Sequence, residues 1–132
     1  MASFGKASKA KLQTVDPRLR TLLETAIQIM DFTVLEGHRG EEAQERAFRE
    51  GRSKARFGQS KHNTHPSQAV DIAPYPIDWE DLESFVLLAG VIKAVAFGMG
   101  LEDQIRWGGD WDSDNRMQDE RFRDYPHFEI KE

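Results

Sequence analysis

The segment SKHNTHPSQAVDIAPYP, residues 60–76, brings together side chains that could bind a metal ion. His62 and His65 are close in sequence, Asp71 follows within a short apolar stretch, and His127 lies far downstream. Because the chain has no cysteine, a zinc ion would have to be held by His, Asp or Glu. Two imidazoles and one carboxylate leave a fourth position open, as catalytic zinc sites do. A catalytic metal site is therefore one hypothesis from the residue types, and histidines that are simply part of a polar surface are the alternative.

The elements that position these residues follow from the hydrophobic pattern. Asp16 and Pro17 are typical of a helix start, with Asp as the N-cap, and Asp78 is expected to cap a later helix. We predict helices at residues 17–30, 41–50 and 79–97, and short strands at 32–36, 69–73, 104–107 and 127–130. The order predicts an α+β fold: a single small domain with a largely antiparallel sheet of about four short strands packed by three helices.

The length and net charge of the chain limit the classes of protein to which it could belong. The chain has 132 residues, which fits one domain spanning residues 1–132. Its net charge of −5 argues against a nucleic-acid partner, although basic residues gathered in 39–61 could attract an anionic substrate. We read no signal peptide, and the apolar stretch 85–101 is too short for a membrane span. We therefore expect a protein made in the cytoplasm that does not insert into membranes.

Several stretches resemble a known family. SKHNTHPSQAVDIAPY resembles the Ser-x-His…Ala-x-Asp signature of the zinc D-Ala-D-Ala and L-Ala-D-Glu peptidases, and DYPHFEI resembles their second signature. FGKASKAKLQTVDPRL, DFTVLEGHRG, APYPIDWEDLE and RWGGDW resemble, in order, phage endolysins of the L-alanyl-D-glutamate peptidase type. The resemblance covers nearly the whole chain and implies a Hedgehog/DD-peptidase-like fold.

The resemblance implies that zinc is bound by His62, Asp71 and His127, with Asp124 as the catalytic carboxylate. One departure concerns the first ligand. The separation of His62 from Asp71 is longer than the family's usual spacing, and that of His65 is shorter. We favour His62, because it keeps a serine two positions before it. His65 remains the alternative.

Other residues around the expected metal site have candidate roles, of which only that of the arginine is implied by the resemblance. An arginine in the region of Arg39 binds substrate or stabilises charge on the scissile carbonyl oxygen; the alternative is a solvated arginine. Ser60 is expected to bind substrate or orient the metal histidine, unless it is a plain loop serine. Glu129 could support His127, with an exposed salt bridge as the alternative. We expect Trp107 to line the substrate cleft.

The interval 108–126 is a long polar loop rich in carboxylates. Hard oxygen ligands of this kind suit calcium, so a regulatory Ca²⁺ site is one hypothesis and a solvated acidic loop is the other. The carboxylates are Asp110, Asp112, Asp114, Asp119 and Glu120.

The function implied is a zinc endopeptidase that cuts the L-Ala–D-Glu bond of peptidoglycan stem peptides as a phage endolysin. We expect a monomer held in the host cytoplasm until it is released to the periplasm and cell wall. A D-Ala-D-Ala carboxypeptidase with the same chemistry is not separated from it by sequence. A non-catalytic, metal-stabilised wall-binding module is a further alternative. A nuclease, suggested by the His62-Asn63 pair, is a weaker alternative because the net charge of the chain is negative.

Overall fold

The computed structural model describes residues 2–118 and 123–131. Its helices are α1 (Lys6–Leu12), α2 (Pro17–Ala26), α3 (Glu41–Arg49) and α4 (Leu82–Gly98). Its strands are β1 (Phe32–Glu36), β2 (Ala69–Pro74), β3 (Ile105–Trp107) and β4 (His127–Ile130). Two short 3₁₀ helices, Lys61–Asn63 and Glu102–Gln104, complete the regular structure of these residues.

The α+β prediction is confirmed, with differences at the helices. The described residues contain α1 in addition to the three predicted helices; its KASKAKL sequence has no apolar stripe and buries only Ser8 and Leu12. Helix α2 ends at Ala26, because the chain turns away and leaves Ile29 exposed. The last helix begins later than predicted, since Asp81 rather than Asp78 caps it by accepting from the backbone N–H of Ser84.

The sheet brings distant parts of the sequence side by side. Its strand order is β1-β2-β4-β3, and every neighbouring pair is antiparallel. In the central pair Asp71 on β2 stands opposite His127 on β4. On the other side of β2 the register shifts after Val34, so that Glu36 also faces Asp71. The sheet therefore brings Asp71 and His127, which are far apart in sequence, next to each other in the predicted metal site.

The core lies where α2 and α4 pack with the sheet. Burying each of its larger aliphatic or aromatic side chains contributes roughly 1.5–3 kcal/mol, which gives the site a rigid support. Among the core side chains with almost no exposure are Leu19, Leu22, Leu23, Ile72, Leu88, Ile92, Phe128 and Ile130. Across the described residues, no helix combines the length and apolar character that a membrane crossing needs.

Candidate active site

His62 enters the site from the short 3₁₀ helix before β2. Its ring is buried, at 3% exposure. Nδ1 donates to the carbonyl oxygen of Gly37 at 2.7 Å, which fixes the ring and turns Nε2 toward the sheet. Nε2 then lies 3.3 Å from Oδ1 of Asp71.

His127 approaches the same carboxylate from β4. Its Nδ1 lies 3.1 Å from Oδ1 of Asp71, and its Nε2 donates to Oε1 of Glu129 at 2.8 Å. Glu129 is only 9% exposed and also lies 3.4 Å from Nε of Arg106. The carboxylate therefore supports the histidine ring in a buried setting, the first of the two roles considered for it.

These three side chains fit a metal ion. One ligand atom from each of His62, Asp71 and His127 can be chosen so that all lie within 4.8 Å of one another. Nε2 of His62 is buried without a hydrogen-bond partner among the described residues. Burying a polar atom without a hydrogen-bond partner costs free energy. Because Nε2 of His62 is close to the other candidate ligand atoms, a metal ion bound between them would satisfy it. Two imidazoles and a carboxylate are ligands that zinc accepts.

The ionisable side chains of the cluster shift one another's pKa values. Burial alone would raise the pKa of Asp71, but the hydrogen bond to His127 and the close His62 ring hold it well below its ordinary value. Burial opposes the charged form of His127, yet its hydrogen bonds to Asp71 and Glu129 prevail and raise its pKa to about 9. Asp71 is thus a carboxylate throughout the neutral range, as a metal ligand must be.

Asp124 precedes β4 and lines the same cavity as the three candidate ligands. Its backbone is held on both sides: its N–H donates to the carbonyl oxygen of Gly108 at 2.8 Å, and its own carbonyl oxygen accepts from the N–H of His127 at 3.1 Å. Burial raises the pKa of its side chain, and the neighbouring Asp71 carboxylate raises it further. A carboxyl group with a raised pKa in a cleft is suited to proton transfer.

Arg39 is fixed beside the candidate metal ligands. Its Nε donates to Glu36 and its Nη1 donates to Oε1 of Gln44 at 2.9 Å. Its Nη2 lies 4.0 Å from Oδ2 of Asp71, and its side chain is 13% exposed. The structure therefore does not show the solvated arginine considered as the alternative.

The structure distinguishes between the two histidines considered as the first metal ligand. His62 joins Asp71 and His127, whereas His65 is exposed and packs edge-to-face on His38, with ring centroids 5.1 Å apart. Ser60 lines the cavity and caps the 3₁₀ helix, its Oγ accepting from the backbone N–H of His62 at 3.1 Å. The serine thus orients the segment that carries the histidine.

The tryptophan that contacts the site is not Trp107, which was expected to line the cleft. Trp107 is buried, stacks on Phe128 with centroids 6.4 Å apart, and donates from Nε1 to the carbonyl oxygen of Tyr125 at 2.8 Å. It lines another cavity, so its position does not support the predicted role in the cleft. Trp111 instead contacts the site, with its ring centroid 5.5 Å from that of His127.

A cavity of about 590 Å³ opens over the ligands. Its walls come from β1, the turn after it, the segment that follows α3, and the loop before β4. The residues that line it include Glu36, Arg39, Ser53, Lys54, Ala55 and Asp124. A cleft of this size accommodates an extended short peptide.

The acidic loop forms a second group. Carboxylate oxygens of Asp110, Asp112 and Asp114 lie within 4.8 Å of one another. Asp110 is buried, accepting from Nζ of Lys93 at 3.3 Å and from the backbone N–H of Asn115 at 2.8 Å. Asp119 and Glu120, which completed the predicted cluster, lie outside the described residues. Calcium binding at this loop stays a prediction.

Comparison with known proteins identifies the family. The chain matches the model of the phage L-alanyl-D-glutamate peptidase family over residues 1–131. It is 32% identical over 123 residues to the L-alanyl-D-glutamate peptidase of Escherichia phage T5, which covers 89% of this chain and 87% of that protein. The chain therefore belongs to the phage L-alanyl-D-glutamate peptidase family.

A solved structure shows the same fold. The L-Ala D-Glu endopeptidase ChiX of Serratia marcescens superimposes with a TM-score of 0.74 at 26% identity, covering 96% of this chain and 88% of the ChiX chain. The resemblance found in the sequence, and the fold class it implied, are both confirmed.

The sequence reasoning missed Gln44 and the ion pair between Arg39 and Glu36. Gln44 is fully buried although α3 is a polar helix. A signal was available, because Gln44 precedes Ala47 by three positions and so shares its buried helix face. A glutamine on the inward face of a polar helix indicates a buried hydrogen-bond network.

Proposed function

We propose that this protein is a zinc-dependent endopeptidase that hydrolyses the L-Ala–D-Glu bond of peptidoglycan stem peptides, as an endolysin. The observation that carries the proposal is the His62, Asp71 and His127 cluster at the floor of a peptide-sized cleft, in a chain of this peptidase family. Three protein ligands under an open cleft match a catalytic site better than a closed structural one. The metal-stabilised binding module is therefore the weaker account.

A zinc ion held by these three residues would polarise the scissile carbonyl and lower the pKa of a water molecule so that it can attack at neutral pH. Asp124 then accepts the proton of the attacking water and delivers it to the nitrogen of the leaving D-Glu. Burial and the neighbouring Asp71 carboxylate raise the pKa of Asp124, which favours proton uptake by this carboxyl group.

The remaining residues of the site hold the metal ligands in position and stabilise the charge that develops in the reaction. The guanidinium of Arg39 stabilises the negative charge that develops on the carbonyl oxygen, where a preorganised cation is most effective. Glu129 holds the ring of His127 through Nε2, leaving Nδ1 for the metal. Ser60 orients the turn that carries His62.

The biological setting belongs to the same proposal. The protein acts as a monomer and a single domain, with the stem peptide as its partner, and neither nucleic acid nor membrane insertion takes part. It stays in the host cytoplasm until it is released to the cell wall. The family relationship and the acidic net charge support this setting.

Digestion of purified peptidoglycan tests the proposal. Wild-type protein, chelator-treated protein and chelator-treated protein reloaded with zinc are compared with zinc-loaded Asp124→Asn. We expect new L-Ala C-termini and new D-Glu N-termini from the wild-type and reloaded samples alone. Release of free D-Ala would instead identify a carboxypeptidase. Folded, zinc-loaded wild type that releases no product would favour the binding module.

A further inference from the structure

The side chain of Gln44 connects α3 to three other segments of the site. Its Oε1 accepts from Nη1 of Arg39 at 2.9 Å and from Nδ2 of Asn63 at 3.1 Å. Its Nε2 donates to Oγ of Ser53 at 3.0 Å and to the carbonyl oxygen of Ala55 at 2.7 Å. A primary amide has two acceptor lone pairs and two N–H donors, so every hydrogen-bonding group of Gln44 is used.

Each segment held by Gln44 contributes to the cleft. Arg39 places its guanidinium beside Asp71, and residues 53–55 form part of the wall of the cavity that the three proposed metal ligands also line. Asn63 follows His62 directly, and its Nδ2 also donates to the carbonyl oxygen of Arg39 at 3.0 Å. One buried amide therefore joins the guanidinium, the cleft wall and the turn that carries a metal ligand.

Burial excludes a direct role for Gln44 in catalysis. The residue has 0% exposure, so a substrate in the cleft does not touch it. Its effect has to pass through the groups it holds. An arginine side chain has several rotatable bonds, and a hydrogen-bond acceptor in a fixed place limits the positions that its guanidinium can occupy.

We propose that Gln44 is a positioning residue, which sets the guanidinium of Arg39 and the 53–55 wall at the spacing from the metal centre that the stem peptide requires. This inference rests on the proposed function, because it assumes that Arg39 acts on the scissile carbonyl. The two halves of the amide have separate tasks: Oε1 fixes Arg39, and Nε2 fixes the wall.

Two substitutions separate the two tasks. Gln44→Met keeps the length of the side chain but removes both halves of the amide. Gln44→Glu keeps acceptors for Arg39 and Asn63 but loses the donor to the carbonyl oxygen of Ala55. Glu42→Gln is the matched control, because Glu42 lies on the same helix, is exposed and pairs only with Arg46 among the contacts described.

The measurements are kcat and KM on soluble muropeptides, zinc affinity and the free energy of unfolding, for each variant. We expect Gln44→Met to lower kcat by about 10–100-fold, the cost of displacing a positioned group, with zinc affinity unchanged. Gln44→Glu should mainly raise KM, with kcat within about threefold of wild type, since Arg39 keeps its acceptor. Glu42→Gln should match wild type in all measurements.

A double-mutant cycle provides the decisive result. In an Arg39→Ala background, Gln44→Met should reduce kcat by less than about threefold, because the group it positions is gone. Losses that multiply in the double variant would overturn the proposal. If Gln44→Met does not fold, Gln44→Glu still decides: a loss of kcat as large as that of Arg39→Ala, at unchanged KM, would overturn it.

Failure of the proposed function gives a different pattern. In that case wild type itself would release no L-Ala C-termini, or would do so after complete removal of zinc, and no variant would need to be compared. A wild type that cleaves with zinc, together with independent effects of Gln44 and Arg39, would leave the function standing and remove only the positioning role.

Discussion

Gly108 and Asp124 are in backbone contact so close that no side chain fits between them. The N–H of Asp124 donates to the carbonyl oxygen of Gly108 at 2.8 Å, and the N–H of Gly108 donates to the carbonyl oxygen of His127 at 2.8 Å. A Cβ atom added at Gly108 would overlap the carbonyl oxygen of Asp124 and lie 2.9 Å from its Cβ. The glycine therefore determines where the proposed general base stands relative to His127, a candidate metal ligand.

Gly108→Ala should reduce kcat while zinc stays bound. The methyl group has to push Asp124 away from its place, and displacement of a catalytic group by about 1 Å can cost on the order of 100-fold in rate. Steady-state kinetics on muropeptides and a zinc titration check this expectation. Gly90→Ala is the control: the site on α4 is open, and alanine in a helix should add up to about 1 kcal/mol of stability. Unchanged kcat in folded Gly108→Ala would contradict the assigned position of Asp124.

Glu129→Gln should weaken zinc binding without unfolding the protein. The carboxylate accepts from Nε2 of His127 at 2.8 Å, and the amide oxygen of glutamine can still accept there but carries no negative charge; mutation of such an outer-sphere partner typically costs about 10–100-fold in metal affinity. Competition with a chromophoric chelator measures the change. Glu83→Gln, on the first turn of α4, is a control that should leave affinity unaltered. Equal affinity of Glu129→Gln and wild type would show that the carboxylate does not support the metal ligand.

Much of the fold could be predicted from local patterns. The strands were recognised because short apolar runs end at Gly and Pro. The His62, Asp71 and His127 set was proposed because the residue types suit zinc and the family resemblance singles out these positions. Helix α1 was missed, since it lacks an apolar stripe and its position depends on contacts with the rest of the chain, such as Ser8 Oγ accepting from the backbone N–H of Val34 at 3.1 Å. Local sequence does not encode such a contact.

The orientation of Trp107 shows the same limit. Strand alternation alone does not say which face of a short strand is covered. The indole packs against the backbone of Gly109, where a side chain would overlap its ring, and stacks on Phe128 of the neighbouring strand. The pairing of β3 with β4 therefore decides that Trp107 is a core residue, and that pairing is a tertiary property.

Asp16 should make stability depend on pH in the acid range. Its carboxylate caps α2 and accepts from Arg18, from the backbone N–H at 2.8 Å and from Nη2 at 2.9 Å. The side-chain bond to Arg18 lowers the pKa of Asp16 below its ordinary value, although burial opposes the change. Its contribution is then fully present above the unfolded pKa of about 3.9 and is lost as the pH falls through the folded pKa.

Urea unfolding of wild type and Asp16→Asn at several pH values tests this dependence. Asparagine can still cap the helix but carries no charge and so cannot form the ion pair with Arg18, and we expect the variant to be less stable by about 1 kcal/mol at pH 7. The difference should narrow below pH 4, as the wild-type carboxyl group takes up its proton. A difference that stays constant with pH would show that the charge of Asp16 contributes nothing.

The two histidines of the 60–76 segment give the sharpest test of the metal site. His62→Gln removes a buried ligand atom that lies 3.3 Å from Asp71, and should reduce zinc affinity by more than the ~10–100-fold expected for an outer-sphere partner. His65→Gln, its matched control three positions on, replaces an exposed ring that packs on His38 and should bind zinc as wild type does. Zinc titration of both folded variants measures the contrast. Loss of zinc from His65→Gln but not from His62→Gln would show that His65 is the ligand. That result would also contradict the proposed catalytic site, because His62, Arg39 and Asp124 line the same cleft.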